Sequence, residues 1–154
     1  MIVALLGSGG REHALKKKIS ESKSLTKLYC LPGNPGTALI AENISLNISD
    51  HTALLEFCKK RNVDFVVIGP EKPLADGLAE FLRSKNIKVF GPNSDAAAIE
   101  SHKSFAKNLM MKYGIPTASF KVFDLTEIEE TKKQLSQMKY PLVIKADGLA
   151  AGKG

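Results

Sequence analysis

The sequence predicts an α/β fold built on an open, doubly wound parallel sheet. Residues 2–6 (IVALL) and 65–68 (FVVI) are short, continuous apolar runs, each followed by a glycine. Strands that are buried on both faces of a parallel sheet have this pattern. Further short strands are expected near 27–31, 44–46 and 88–90. Helical patterns separate these segments, and strands that alternate with helices are typical of α/β proteins.

Two helices of the first half are predicted from the spacing of their apolar residues. One carries Leu54, Leu55 and Cys58 behind Asp50, a residue type that commonly caps helices. Another is indicated by apolar residues at spacing i, i+4, i+7 and i+8, namely Leu74, Leu78, Phe81 and Leu82.

The chain after residue 91 predicts a second, incomplete β-α-β set. Gly91 and Pro92 end the strand at 88–90, and Ser94 and Ser101 are candidate N-caps for two helices, or one interrupted helix, reaching Tyr113. A strand around 118–123, a helix and a strand at 142–146 (LVIKA) follow; the apolar residues of that helix are Leu125, Ile128, Leu135 and Met138. The sequence therefore predicts one domain and the beginning of another.

Composition and charge narrow the function classes. The 154 residues are 44% hydrophobic and 25% charged, which is globular, and no apolar run is long enough to cross a bilayer. The start, MIVALLGSGG, resembles a strand more than a signal peptide, so we expect a cytoplasmic protein. The net charge of +6 comes mostly from scattered lysines, which favours small phosphorylated anions over nucleic acid. Neither the two cysteines nor the three dispersed histidines suggest a metal site.

The segment GSGGREH (7–13) lies between the first strand and the first helix, where backbone N–H groups favour a phosphate. It does not match the dinucleotide pattern GxGxxG, because Glu12 stands in the third glycine position and no ribose-binding acid follows about twenty residues on. Arg11 could contact a phosphate with two hydrogen bonds. The alternative interpretation is a tight strand-to-helix turn.

Two more loops should open at the same edge of the sheet. PGNPG (32–36) follows the second strand and offers Asn34, while GPEKPL (69–74) follows the FVVI strand and offers Glu71. Ligands bind at the carboxyl edge of open α/β sheets. Taken singly, the first loop could be only a turn and Glu71 only a solvated acid. Together the three loops predict a crevice for a sugar phosphate.

The final segment, KADGLAAGKG (145–154), is not a Walker loop. Only three residues separate Gly148 from Gly152, and Gly154 replaces the hydroxyl residue that should follow Lys153. Lys145 instead ends a predicted strand before a small flexible loop, and Lys103 starts a predicted helix. Two lysines beside a glycine loop would suit the triphosphate of ATP, although Lys103 alone could be an ordinary surface lysine.

These segments together resemble the N-terminal part of the glycinamide ribonucleotide synthetase (phosphoribosylamine–glycine ligase) family of the ATP-grasp superfamily. The resemblance covers the whole chain and is carried by motifs that occur in the family's order: GSGGREHAL, PGNPGTA, GPEKPL, VFGP, SHKSFAK, YGIPTA and VIKADGLAAGKG. One departure is His102, which follows Ser101 where the family has E-[SG]-[SD]-K-x-F.

The resemblance implies an ATP-dependent ligase of purine synthesis. ATP would phosphorylate the glycine carboxylate, and the amine of 5-phosphoribosylamine would displace the phosphate to give glycinamide ribonucleotide. It implies a Rossmann-like N-terminal domain at 1–100, which binds the phosphoribosylamine, and the beginning of an ATP-grasp domain at 101–154. The Mg²⁺ or Mn²⁺ ligands would lie beyond residue 154, so we expect no ligase activity from this chain alone.

The resemblance also implies site residues. Those for phosphoribosylamine would be Gly9, Gly10, Arg11, Glu12, Asn34, Gly36 and Glu71. Those for ATP would be Lys103, Lys145, Gly148, Gly152, Lys153 and Gly154. We expect small-molecule substrates, and neither nucleic acid nor membrane as a partner. Two alternatives stay open: a sugar-phosphate or nucleotide-binding module without catalysis, and a nicotinamide-dependent oxidoreductase.

Overall fold

The computed structural model describes residues 1–124 and 126–150, and it divides into two compact units, Met1–Ala98 and Ile99–Gly154. The first unit contains a five-stranded sheet in the order β3-β2-β1-β4-β5, in which every neighbouring pair is parallel. Its strands are β1 Ile2–Gly7, β2 Lys27–Pro32, β3 Glu42–Asn43, β4 Phe65–Ile68 and β5 Lys88–Phe90. The predicted fold class is confirmed.

The predicted strand at 44–46 is wrong in its position. Only Glu42 and Asn43 pair with β2, opposite Tyr29 and Cys30, and the backbone N–H of Ile44 donates one further bond to the Cys30 carbonyl. The apolar residues that suggested the strand, Ile44 and Leu46, instead pack against the core as the chain leaves the sheet. Their burial explains the pattern without a ladder of hydrogen bonds.

Five helices connect the strands: α1 Gly10–Ser20, α2 Pro35–Ala38, α3 His51–Lys60, α4 Glu71–Ala75 and α5 Leu78–Ser84. The Asp50 carboxylate caps α3 as predicted, accepting the Ala53 N–H at 2.9 Å. The single helix expected over 74–82 is divided, because Gly77 lies between α4 and α5 with a left-handed φ of 81°. Glycine adopts this conformation without steric cost.

The core lies on both faces of the sheet, as in a doubly wound fold. Ala4 and Leu6 of β1 face the larger cluster, which includes α3 and α5 through Leu54, Cys58, Leu78 and Leu82. Val3 and Leu5 face a smaller cluster with Leu28, Cys30 and Val67, against which Ile19 of α1 packs. Cys30 and Cys58 are both buried and free, and burial raises the pKa of the Cys58 thiol to about 11.

Lys16 is an unexpected component of this interior. It lies on α1, is fully buried, and its ammonium makes no hydrogen bond to the described residues. Burial lowers the pKa of Lys16, and the nearby Cys30 thiol opposes that shift only partly. Because an unpaired charge loses its hydration on burial, this lysine opposes folding.

Replacing Lys16 with methionine should therefore stabilise the chain by about 1–2 kcal/mol, because methionine keeps the aliphatic length without the charge. The unaltered chain should gain stability as the pH rises from the lowered pKa of Lys16 towards the ordinary lysine value, since the unfolded state binds the extra proton there. Urea denaturation at several pH values measures both effects. The exposed neighbour Lys17→Met is the control and should change neither; equal effects at both positions would contradict the prediction.

The second unit contains α7 Lys103–Lys112 and α8 Ile128–Ser136, and α6 Ser94–Ser101 leads into it. Both N-cap predictions are wrong. Ser94 is the first residue of α6, and its hydroxyl and N–H donate to the Glu80 carboxylate. Ser101 is the last residue of α6, and the N-cap of α7 is His102. The extended backbone of His102 separates the two helices.

The strands predicted at 118–123 and 142–146 do not form in the described part of the chain. Val143 and Ile144 are 81% and 79% exposed, so no segment within 1–124 or 126–150 covers them. A strand needs a hydrogen-bonded partner, which an apolar sequence alone does not supply. Leu125 of the predicted helix lies outside the described residues, and none of the described helices is long and apolar enough to cross a membrane.

Candidate functional site

Three loops meet at the carboxyl edge of the central strands. Leu6 of β1 lies opposite Leu31 of β2 and Ile68 of β4, so the residues after these three strands stand at the same level of the sheet. The N–H of Gly33 donates to the Gly7 carbonyl at 3.2 Å, and the N–H of Gly69 donates to the Leu6 carbonyl at 3.2 Å. The segments 7–13, 32–36 and 69–74 therefore lie together at the carboxyl end of β1, between the ends of β2 and β4, which is the edge where the crevice is predicted.

Arg11 connects two sides of this crevice. Its Nη2 lies 3.0 Å from Glu71 Oε2, at the start of α4, and its Nε lies 3.3 Å from Glu12 Oε1. The hydrogen bond to Glu71 is the main cause that raises the pKa of Arg11. The pKa of Glu71 is lowered, first by the backbone N–H of Glu71 itself and then by Arg11. The Arg11 side chain is still 62% exposed, so a ligand could reach it.

Glu12 occupies a different environment from Arg11. It is only 4% exposed, and its Oε2 accepts the N–H of Gly9 at 2.8 Å. A Cβ added at Gly7, Gly9 or Gly69 would lie within 2.8 Å of an atom of the Glu12 side chain. Glu12 thus stands where the dinucleotide pattern has its third glycine. Its side chain fills the space that the absence of a Cβ leaves open at Gly7, Gly9 and Gly69.

Gly69→Ala should destabilise the chain by about 1–2 kcal/mol, because overpacking forces neighbours to shift. Its Cβ would lie 2.3 Å from Glu12 Oε1, whereas a Cβ at Gly10 would meet nothing within 4 Å. Gly10→Ala is therefore the matched stability control and should leave the melting temperature nearly unchanged. Thermal denaturation of both variants measures the difference; equal losses would show that the contact with Glu12 does not limit the substitution.

Asn34 is held by its own contacts in the second loop. Its Oδ1 accepts the N–H of Thr37 at 2.9 Å, which caps α2, and its Nδ2 donates to the Ser8 carbonyl at 2.8 Å. A Cβ at Gly36 would lie 2.7 Å from His13 Cε1, so α1 and α2 approach closely here. Asn34 therefore links the loop after β2 (32–36, the β2 loop) to the loop after β1 (7–13, the β1 loop).

Sequence reasoning missed two residues that support this loop. Thr37 is fully buried and hydrogen-bonded to Asn34, and Asn43 Nδ2 donates to the Asn34 carbonyl at 2.7 Å. The spacing Asn34-x-x-Thr37 is a capping-box pattern and could have identified the threonine. Nothing in the local sequence around Asn43 indicated its role, because that contact depends on the β2–β3 pairing.

The second unit brings Lys103 to the beginning of the glycine-rich segment. Lys103 Nζ donates to the Gly148 carbonyl at 2.6 Å, and the Asp147 carboxylate accepts the hydroxyl and the N–H of Ser104 at the start of α7. The Ser104 hydroxyl is the main cause that lowers the pKa of Asp147. Neither Asp147 nor Ser104 was predicted, since only the fold brings them together.

Lys145 is exposed and makes no hydrogen bond among the described residues. Gly152, Lys153 and Gly154, which were also predicted to bind ATP, lie outside the described residues. Within the ranges 1–124 and 126–150, no group of three His, Cys, Asp or Glu side chains could hold a metal ion.

Comparison with known proteins relates both units to one family. Residues 1–100 match the model of the phosphoribosylglycinamide synthetase N domain, and residues 101–154 match that of the phosphoribosylglycinamide synthetase ATP-grasp (A) domain. Relatives named phosphoribosylamine–glycine ligase are 53% identical in Mesorhizobium japonicum and 46% identical in Clostridium acetobutylicum over all 154 residues. The chain spans 36% of the length of each of these relatives.

Solved structures agree with the family models. The crystal structure of phosphoribosylamine–glycine ligase from Thermotoga maritima matches the whole chain over 35% of its own length, with a TM-score of 0.73 and 35% identity. An N5-carboxyaminoimidazole synthetase from Staphylococcus aureus, complexed with ADP, matches 97% of this chain over 39% of its own length, with a TM-score of 0.70; at 17% identity it shows the fold alone. The resemblance inferred from the motifs is confirmed, and the chain belongs to the phosphoribosylglycinamide synthetase family.

Proposed function

We propose that the chain provides the sugar-phosphate site and the beginning of the ATP site of a ligase that joins glycine to 5-phosphoribosylamine, giving glycinamide ribonucleotide, ADP and phosphate. The observation that carries the proposal is the ion pair of Arg11 and Glu71, in which Nη2 and Oε2 lie 3.0 Å apart. It places a side chain that can donate to a phosphate next to a carboxylate that can accept from a sugar, at the edge where the crevice is predicted. The relatives bear the name of this ligase. We place the protein in the cytoplasm, with small molecules as its substrates.

The ribose phosphate would bind at the start of α1. The N–H of Gly9 already donates to Glu12, whereas the N–H groups of Gly10, Arg11 and Glu12 make no hydrogen bond among the described residues. These N–H groups, the positive end of the α1 dipole and the Arg11 guanidinium are suited to a phosphate. Gly10 lets the phosphate approach the backbone closely, because it carries no side chain and the place of its Cβ is open for 4 Å.

The ribose and its amine would face the other two loops. The Glu71 carboxylate can accept hydrogen bonds from a ribose hydroxyl or from the amine. Asn34 and Gly36 would form the wall on the β2 side, where Asn34 holds the β1 loop in place through the Ser8 carbonyl. This arrangement would leave the amine accessible to an activated glycine.

The ATP phosphates would bind in the second unit, to Lys103, Lys145 and the glycine-rich segment that begins at Gly148 and includes Gly152, Lys153 and Gly154. Lys103 is already next to that segment through the Gly148 carbonyl. A lysine ammonium supplies a compact positive charge to a phosphate. We propose Mg²⁺ or Mn²⁺ as the accompanying ion, which would neutralise charge on the transferred phosphoryl group when bound.

Calorimetric titration of the chain with ribose 5-phosphate tests the proposal, and we expect saturable binding at one site. Titration with NADH, followed by its fluorescence, tests the oxidoreductase alternative, and we expect no binding because Glu12 fills the place of the third glycine. Binding of NADH without binding of ribose 5-phosphate would contradict the proposed function and favour the alternative.

A further inference from the structure

The Glu12 side chain lies inside the wall of the crevice rather than on its surface. Only 6% of the side chain is exposed, compared with 62% for the adjacent Arg11. Both carboxylate oxygens already accept protein donors, Oε2 from the Gly9 N–H at 2.8 Å and Oε1 from the Arg11 Nε at 3.3 Å. A carboxylate that is buried and bonded in this way has little capacity left for a ligand, and its charge would repel a phosphate at close range.

Glycines of two strands are fitted around this carboxylate. A Cβ would lie 2.5 Å from Glu12 Cγ at Gly7, 2.8 Å from Oε2 at Gly9 and 2.3 Å from Oε1 at Gly69. Gly7 and Gly9 belong to the β1 loop, whereas Gly69 directly follows β4. The Glu12 side chain therefore fills the gap between the ends of two neighbouring strands, and these glycines make room for Glu12 rather than for a ligand.

The same carboxylate determines which phosphate donors are available. It occupies the Gly9 N–H, so the unpaired N–H groups at the start of α1 begin at Gly10. It also holds Arg11 at Nε, while Glu71 holds the same guanidinium at Nη2, so the plane of the guanidinium is fixed from two sides. Among the described residues, Nη1 makes no hydrogen bond, which leaves it available for a phosphate oxygen.

We propose that Glu12 is a positioning residue of the sugar-phosphate site, which shapes the β1 loop and aims the Arg11 guanidinium without contacting the ligand through its side chain. This inference rests on the proposed function, because it assumes that a sugar phosphate occupies the crevice. Its consequence is that Glu12 contributes to affinity only through Arg11 and the neighbouring backbone N–H groups.

A double-mutant cycle tests this dependence, with ribose 5-phosphate as the probe and calorimetry as the measurement. Glu12→Gln keeps the size of the side chain but can accept with only one oxygen. We expect it to reduce affinity about 5- to 20-fold when Arg11 is present, and less than about 2-fold in an Arg11→Ala background. The matched control is Glu21→Gln, which removes an exposed carboxylate at the other end of α1 and should not change affinity.

Equal losses in both backgrounds, or no loss in either, would overturn the positioning role of Glu12. A gain in affinity on Glu12→Gln would overturn it as well, because charge repulsion would then outweigh the geometry. If the unaltered chain does not bind ribose 5-phosphate, the proposed function itself fails. The two failures are therefore distinguishable.

A measurement on the unaltered chain covers the case in which Glu12→Gln does not fold. In ¹⁵N- and ¹³C-resolved NMR, ribose 5-phosphate should shift the amide signals of Gly10 and Arg11, which have unpaired N–H groups at the crevice. The Gly9 amide and the Glu12 carboxyl carbon should shift less, since they are bonded to each other. If the Glu12 carboxyl carbon shifts most, the carboxylate contacts the ligand and the positioning role is wrong.

Discussion

Arg11→Ala should weaken the binding of ribose 5-phosphate by about 1–3 kcal/mol, or roughly 5- to 150-fold, as expected for the loss of a charged hydrogen bond. The change also leaves Glu71 without its partner at 3.0 Å, beside the place proposed for the phosphate. Arg11→Lys should give an intermediate affinity, because lysine keeps the charge but not the planar fork of donors. Calorimetric titration measures all three affinities.

Arg61→Ala is the control for the loss of one positive charge. Arg61 is exposed, follows α3 and precedes β4, so it lies at the opposite edge of the sheet from the crevice. We expect the Arg61→Ala variant to bind ribose 5-phosphate with the same affinity as the unaltered chain. If Arg11→Ala binds ribose 5-phosphate with unchanged affinity, Arg11 does not contact the ligand and its role is structural.

Much of the first unit could be predicted from the sequence because its signals are local. A buried strand followed by glycine indicates both the strand and the loop at its carboxyl end, and parallel strands place such loops at one edge. The segments 7–13, 32–36 and 69–74 could be grouped on that basis. The prediction needed no knowledge of which side chains touch.

The contacts inside the crevice could not be predicted, because they join residues that are far apart in the chain. Arg11 and Glu71 are separated by 60 positions, and the Gly69 that packs on Glu12 belongs to another strand. In the sequence, Glu12 is visible only as a mismatch to the third glycine of the GxGxxG pattern. Its burial becomes visible when the ends of β1 and β4 are placed side by side.

In the second unit, the sequence predicts a strand that the described structure does not contain. The run LVIKA at 142–146 has the composition of a strand, but strand formation also requires a neighbour with unpaired backbone groups. Among the described residues that neighbour is absent, and the apolar side chains of Val143 and Ile144 remain exposed. The contact of Lys103 with Gly148, 45 positions away, was likewise not readable from spacing.

Lys145→Met should raise the KM for ATP about 10- to 150-fold in a ligase that carries these residues and the full length of the relatives. The physical reason is the loss of one charged contact to a phosphate, worth about 1.5–3 kcal/mol. Lys145 is exposed and makes no hydrogen bond in the described part of the chain, so the substitution should not change the melting temperature. Steady-state kinetics at saturating glycine and phosphoribosylamine measure the effect.

Lys103→Met is the informative companion to this substitution, because Lys103 already donates to the Gly148 carbonyl at 2.6 Å. Its loss should raise the KM for ATP and also loosen the segment after Asp147, which increased amide hydrogen exchange at 147–150 would report. Lys139→Met, at an exposed lysine outside the proposed site, should change neither quantity. If the KM for ATP in Lys145→Met equals that in Lys139→Met, Lys145 does not bind the nucleotide, and the ATP site must draw its charge from Lys103 and residues further along the chain.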